Sequence, residues 1–322
     1  MEPALRLGEI PARPLLKPWY RLSSNDSGVI LRFGGSVLTF EGRAAVRLMP
    51  HLLPLLDGAH DVDGIVAELG EPARPAVLNA LELLASRRLL IEPVADEPPA
   101  ATLRTAELLA ACSVAELPLG RVAGALAAAR VVVRGEGGAA AGAAALLRDS
   151  GVGSVEARSW EEAGEFRCDL VVAAPASDEV FQLEAWNKRA LETATPWLQV
   201  LPFDGSVSAV GPVFVPHESA CYECYRLRRS ANTSPVPDRE RGPFVDAPAL
   251  DAVLAGLAAL TAVRWLAAGD GGCVGELLAV ELIPEIAMSR SILFRVPRCP
   301  ACSPAGRRGA PAPWHGAFDA AA

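Results

Sequence analysis

Hydrophobic and polar residues alternate along three short runs near the start of the chain, WYRLSS, GVILRFGG and SVLTFEG, separated by Asn25-Asp26-Ser27-Gly28 and Gly34-Gly35. A period of two predicts strands with one buried face, and the turn residues between them predict hairpins. The period then lengthens to that of a helix. RAAVRLMPHLLPLLDG predicts a helix ending at Gly58 and strained by Pro50 and Pro54. DVDGIVAELG predicts a short helix capped by Asp61, and ARPAVLNALELLASRRLL a longer one. Three strands and then three helices in residues 14–92 predict a winged helix-turn-helix unit. The last helix carries Asn79, Glu82, Ser86, Arg87 and Arg88 as its polar residues, too few of them basic to favour duplex DNA. An exposed strand edge offers another use, the addition of a peptide strand.

IEPVADEPPAATLRT is rich in Pro, Ala and acids, and residues 93–105 read as a linker. Beyond it the pattern becomes that of alternating strands and helices. RVVVRG, VGSVEARS, CDLVVAAPA and PWLQVLPF read as strands, EGGAAAGAAALLRDSG and VFQLEAWNKRALETA as a glycine-rich turn with its helix and a second helix. Residues 106–303 therefore predict a mostly parallel α/β sheet covered on both faces. VSAVGPVFV, CVGELLAVELI and RSILFRV add strands expected to be antiparallel. SANTSPVPDRERGPF reads as a long loop, and residues 304–322 as a disordered tail. The fold class is α/β throughout.

Composition narrows the function. With 51% apolar residues, 21% charged and a net charge of −8, the 322-residue chain has ample core and no global means of neutralising a nucleic-acid backbone. MEPALRLGEIPARPLLKPWY lacks the apolar segment of a signal peptide. The most apolar stretch, Ala249 to Gly269, is interrupted by Asp251 and Arg264 and reads as a buried helix, not a membrane span. A cytoplasmic protein with reduced thiols is expected.

That compartment decides how the cysteines read. SACYECYRLRR and VPRCPACSP each hold two cysteines separated by two residues. Such spacing lets a tight turn aim both sulfurs at one ion, so Cys221, Cys224, Cys299 and Cys302 predict one structural Zn2+ per chain. Four thiolates leave no open position for catalysis, and His217 would be redundant as a ligand. Cys112, Cys168 and Cys273 sit in apolar runs and read as small hydrophobes.

The run RGEGGAAAG places Gly135, Gly137, Gly138 and Gly142 at a strand-to-helix junction. Two readings stay open: a cradle for a nucleotide phosphate, or a turn kept for close helix–sheet packing. The acid expected to end the next strand and hold a ribose is replaced by Arg158 and Ser159.

The knuckles, in VGPVFVPHESACYECYRLRR and FRVPRCPAC, together with the degenerate glycine turn resemble the ThiF/MoeB-like fold of ubiquitin-activating-type enzymes. More closely they resemble the ocin-ThiF-like proteins of thiazole/oxazole-modified peptide and thiopeptide biosynthesis. GVILRFGGSVLTFEGRAAVRLMPHLLPLLDGAHDVDGIVAELG, with LLASRRLL, resembles a PqqD-like RiPP recognition element. The chain departs from adenylating relatives in lacking the ribose acid. It has only Asp178 after the third strand, and Arg226, Arg228 and Arg229 read as surface charge, not a triphosphate clamp.

The resemblance implies a non-catalytic protein that binds a precursor leader peptide and delivers it to a YcaO-type cyclodehydratase for azoline formation. It also implies a homodimer. ATP, DNA and membranes are not expected as ligands. Val37, Leu38, Thr39 and Phe40 would pair with the leader, and Leu83 and Arg87 of the last helix would select it. An active ATP-dependent adenylating enzyme and a winged-helix transcription regulator are the alternatives.

Overall fold

The computed structural model describes residues 9–26, 28–94, 98–112, 118–162, 167–232, 247–282 and 284–303. It divides into two compact units, Met1–Ala127 and Ala128–Ala322. The stretch read as a tail, 304–322, and residues 233–244 of the long loop lie outside the described residues.

In the first unit a two-residue strand, β1 (Leu15–Leu16), precedes the alternating runs, which form β2 (Arg21–Asn25), β3 (Gly28–Phe33) and β4 (Ser36–Glu41). These three make an antiparallel sheet in the order β2-β3-β4, so β4 is an edge strand. Inward residues Val29, Leu31 and Phe40 are buried, while Arg32, Val37 and Thr39 on the alternate positions are exposed.

α1 (Arg43–Leu52) ends six residues before Gly58, and a 3-10 turn, Leu53–Leu55, follows it. Pro54 has no N–H with which to continue the helical ladder, which accounts for the earlier stop. α2 (Val62–Leu69) is capped as expected, Asp61 accepting from the Gly64 N–H at 2.7 Å. α3 (Arg74–Ser86) buries Val77, Leu81 and Leu84 completely. α1 packs on β3, β4 and α3, and one core joins all of them. β5 (Leu90–Ile91) returns to pair with β1 and closes the unit. α4 (Ala100–Cys112) shows that the second half of the stretch read as linker is helical; Pro98-Pro99 marks its start. α5 (Leu119–Ala128) follows.

The second unit is a seven-stranded sheet built from β6 (Arg130–Arg134), β7 (Ser154–Arg158), β8 (Leu170–Ala173), β9 (Trp197–Leu201), β10 (Val207–Phe214), β11 (Glu276–Glu281) and β12 (Ala287–Ile292). Their order is β12-β11-β10-β9-β8-β6-β7. β7, β6, β8 and β9 run parallel, and β10, β11 and β12 extend the sheet antiparallel, as expected. α7 (Gln182–Thr193) covers one face through Leu183, Trp186 and Ala190. α6 (Gly138–Asp149) and α9 (Pro248–Ala268) pack on each other and on the sheet. α9, the stretch long and apolar enough to cross a membrane, buries Leu250, Leu254, Ala258 and Ala262 in this core. α8 (Tyr222–Ser230) follows β10 directly.

Candidate functional site

The chain leaves β10 at Phe214, turns through a left-handed His217, and enters α8 with Cys221 at its N-cap and Cys224 in its first turn. Ser219 holds this turn, its Oγ accepting from the Val215 N–H at 2.8 Å, and Tyr222 N–H donates to buried Asn187 on α7 at 3.0 Å. The second knuckle turns at left-handed Arg298 and presents Cys299 and Cys302. All four sulfurs lie within 4.8 Å of one another and are buried. Sγ separations are 3.9 Å for Cys221–Cys224, 3.7 Å for Cys221–Cys299 and 3.6 Å for Cys224–Cys302. A zinc–sulfur bond of about 2.3 Å gives tetrahedral edges of about 3.8 Å. The donor set therefore fits Zn2+ in both chemistry and size.

The surroundings prepare that site. The Cys221 thiol donates to Cys224, and this bond, with the Val296 N–H 3.4 Å away, draws Cys224 down to about 4. The donor, Cys221, is correspondingly pushed up. The shift favours the thiolate at Cys224, the form a metal requires. Leu191, Ala220, Leu293 and Val296 form the apolar wall. Arg295 ties the two knuckles independently of any ion, donating to the carbonyls of His217 and Cys302 at 3.0 Å each. His217 turns away, its Nε2 bonding the Leu191 carbonyl at 2.8 Å. Of the remaining cysteines, Cys273 is buried and Cys168 half-buried.

At the glycine turn the backbone is closely packed against its neighbours. Gly135 has φ +133°, and a Cβ there would lie 1.9 Å from the Ala174 carbonyl oxygen. A Cβ on Gly142 would meet Ala255 of α9 at 2.9 Å. A Cβ on Gly138 would come within 2.5 Å of the Asp251 carboxylate, so α9 presents a negative charge to the start of α6. Gly137 is the N-cap of α6. The Asp251 carboxylate therefore lies beside the first turn of α6, a helix end that favours an anion.

The neighbouring crevice, at the carboxyl ends of β6, β7 and β8, holds Arg134. This buried cation ends β6 and donates through Nη2 to the carbonyls of Ser159 (3.0 Å), Trp160 (2.9 Å) and Glu162 (3.1 Å). Its guanidinium lies 5.1 Å from the Trp160 ring and 5.3 Å from the Trp186 ring. Burial, and then Arg189 beside it, lower its pKa. Arg158, where the ribose acid was expected, is paired with Glu156 at 2.7 Å and Glu162 at 2.8 Å. Glu162 is the acid that sequence reasoning missed. It serves the loop, accepting also from the Ser159 N–H at 3.1 Å. Asp178 is exposed.

The three arginines after the first knuckle are bound locally. Arg226 pairs with Glu184 at 2.9 Å, Arg228 donates to the Phe294 carbonyl at 2.9 Å, and Arg229 pairs with Asp204.

In the first unit, β4 carries the four strand residues singled out from sequence. The two-residue turn at Gly34-Gly35 closes on the pair Phe33↔Ser36. In such a hairpin the closing pair exchanges both backbone bonds and the pairs then alternate. Leu38 and Phe40 therefore bond to β3, and Val37, Thr39 and Glu41 turn their backbone groups to the open edge. Leu83 is half-buried against the core, and Arg87 is exposed at the C-cap of α3. α1 touches both β4 and α3.

No family model matches the sequence, and no curated protein does either. Solved structures do. A heterocyclase in complex with substrate and cofactor matches over 90% of this chain and 39% of its own, at 23% identity and TM-score 0.65. The heterocyclase TruD matches over 91% of this chain and 43% of its own, at 22% identity and TM-score 0.66. This chain has their fold. It spans less than half the length of either. The E. coli protein MccB, solved with ATP, matches over 90% of this chain and 99% of its own, at 14% identity and TM-score 0.63.

Proposed function

We propose that this protein is a non-catalytic partner that captures the leader of a ribosomal precursor peptide and delivers it to a separate YcaO-type cyclodehydratase. The observation that carries this reading is the open edge of β4. Val37, Thr39 and Glu41 offer backbone groups without a backbone hydrogen-bond partner among the described residues, on a strand that the core holds in place through Phe40. An extended leader adding there would gain main-chain hydrogen bonds, with Leu83 and Arg87 contacting its side chains. This makes the first unit a PqqD-like recognition element.

Tethering is the mechanism. A leader held in one place raises the local concentration of its core at the partner's active site, to roughly the mM range for a flexible link. The second unit contributes a scaffold, stapled by Zn2+ in the four thiolates. Such a closed shell supplies rigidity and no open coordination position. The Asp251 carboxylate at α6 and the Arg134–Trp160 arrangement support the absence of nucleotide chemistry. A cytoplasmic homodimer fits the same reading.

A second reading has one observation in its favour. MccB, solved with ATP, is matched over nearly its whole length, which suits an adenylating enzyme. ATP–pyrophosphate exchange separates the two: exchange by the purified chain supports adenylation, and its absence together with stimulation of a cyclodehydratase supports the scaffold.

A further inference from the structure

Arg21 on β2 and Arg32 on β3 are directly opposed, and Arg32 is in turn opposed to Val37 on β4. All three are exposed, Val37 by 62%. Neither arginine has an ion-pair partner among the described residues. Like charges directly opposed on one sheet face are destabilising, so the fold gains nothing from this pair. α1 repeats the arrangement, with Arg43 and Arg47 one turn apart, exposed and also without an ion-pair partner among the described residues.

Four acids of the same unit are engaged elsewhere. Asp57 holds His60 at 3.1 Å, Asp61 caps α2, and Asp63 and Glu71 grip Arg74 at 2.9 and 2.6 Å. On the outer sheet face the remaining acid is Glu41, at the far end in the row of Asn25 and Gly28. Positive charge is therefore concentrated at the Val37 end of the face that borders the open edge.

We propose that this basic row selects a peptide with acidic side chains on its outward positions, a Glu or Asp set against Val37 reaching Arg32, with Arg21 one strand further on adding to the positive field. The inference rests on the reading of β4 as the peptide-docking edge. A strand added to β4 continues the rows of the sheet, which places its residue about 10 Å, two strand spacings, from Arg32. Extended arginine and glutamate side chains span that distance over the small Val37. An acidic peptide also relieves the Arg21–Arg32 repulsion, so binding and folding pull in opposite directions at these two residues.

The test is a selection from a random twenty-residue peptide display library on the full chain, on Arg21→Ser/Arg32→Ser and on Thr39→Pro. The expected result is a set of peptides with acidic residues at alternate positions. Their affinity falls roughly tenfold on the double variant and also falls with added salt, while the variant melts no lower than the native chain. Peptides that depend on Thr39 but show no acidic bias, or bind the double variant equally well, overturn the charge selection and leave the docking edge standing. Absence of any peptide sensitive to Thr39→Pro overturns both, as does duplex DNA binding through the same arginines.

Discussion

Asp251 of α9 presents its carboxylate to Gly138 at the first turn of α6, so close that a Cβ at that glycine would lie 2.5 Å from Oδ2. A helix N-terminus favours an anion, and here the anion is internal. ATP at millimolar concentration is expected neither to raise the melting temperature nor to be hydrolysed by the purified chain. A ligand at a hundred times its Kd would stabilise by about 2.7 kcal/mol, a shift that thermal denaturation resolves. Asp251→Asn should lower stability by about 1 kcal/mol through loss of the charge–dipole interaction. A clear upward shift of melting temperature with ATP would restore the adenylating reading.

The glycine turn gives a second contrast. Gly135→Ala drives a Cβ into a backbone carbonyl at a φ of +133°, with no side chain able to move aside. It should cost about 3 kcal/mol or more, or prevent folding. Gly138→Ala meets the Asp251 side chain, Oδ2 at 2.5 Å, Cγ at 3.2 Å and Cβ at 3.3 Å, and no backbone, and should cost less than Gly135→Ala. Urea denaturation of the two variants checks this ordering. Equal costs would mean that packing does not govern the turn.

The cysteine pairs were legible because their spacing is a chemical statement in itself. The strands of the first unit were legible because their alternation matches one buried face, and the Asp61 cap because its residue type has a local role. Arg134 was not. RVVVRG reads as a buried strand, and nothing local says that its last arginine is buried by Trp160 and Trp186 and satisfied by carbonyls of the segment after β7. The role of Asp251 was hidden likewise, since its neighbour Gly138 is distant in sequence. β1 and β5, two residues each, are too short to show a period. α1 was read too long because its apolar spacing continues past Pro54, while its backbone bonds do not.

The metal centre yields the third prediction. Elemental analysis should give one zinc per chain, and Cys299→Ser should destabilise the second unit without changing peptide binding by the first. Zinc should leave as pH falls, because protons compete for the thiolates. Arg295→Ala removes the two bonds that join the knuckles, and should weaken zinc retention against a chelator while leaving the ligand count at four. Metal-free protein of unchanged stability would remove the staple from the account.

Residues 1–94 contain every member of the core that joins β3, β4, α1, α2 and α3, from Ile10 to Leu90. This fragment should fold, and Leu84→Ala within it should cost about 2–5 kcal/mol. It should bind a leader as the full chain does, but fail to stimulate a cyclodehydratase. Stimulation by the fragment alone would leave the second unit without a role in delivery.

The central claim is that a leader docks on the edge of β4, and Thr39 tests it most directly. Its backbone faces the open edge, so Thr39→Pro removes a docking hydrogen bond and spares the β3–β4 ladder, whereas Leu38→Pro breaks the ladder. The measurement is fluorescence anisotropy of labelled leader peptides, taken from short reading frames beside this gene, on the full native chain and on Thr39→Pro, with melting curves of both. The account predicts saturable binding by the native chain and about tenfold weaker binding by Thr39→Pro, at nearly unchanged melting temperature. Equal binding by the two proteins, or none by the native chain, would contradict it.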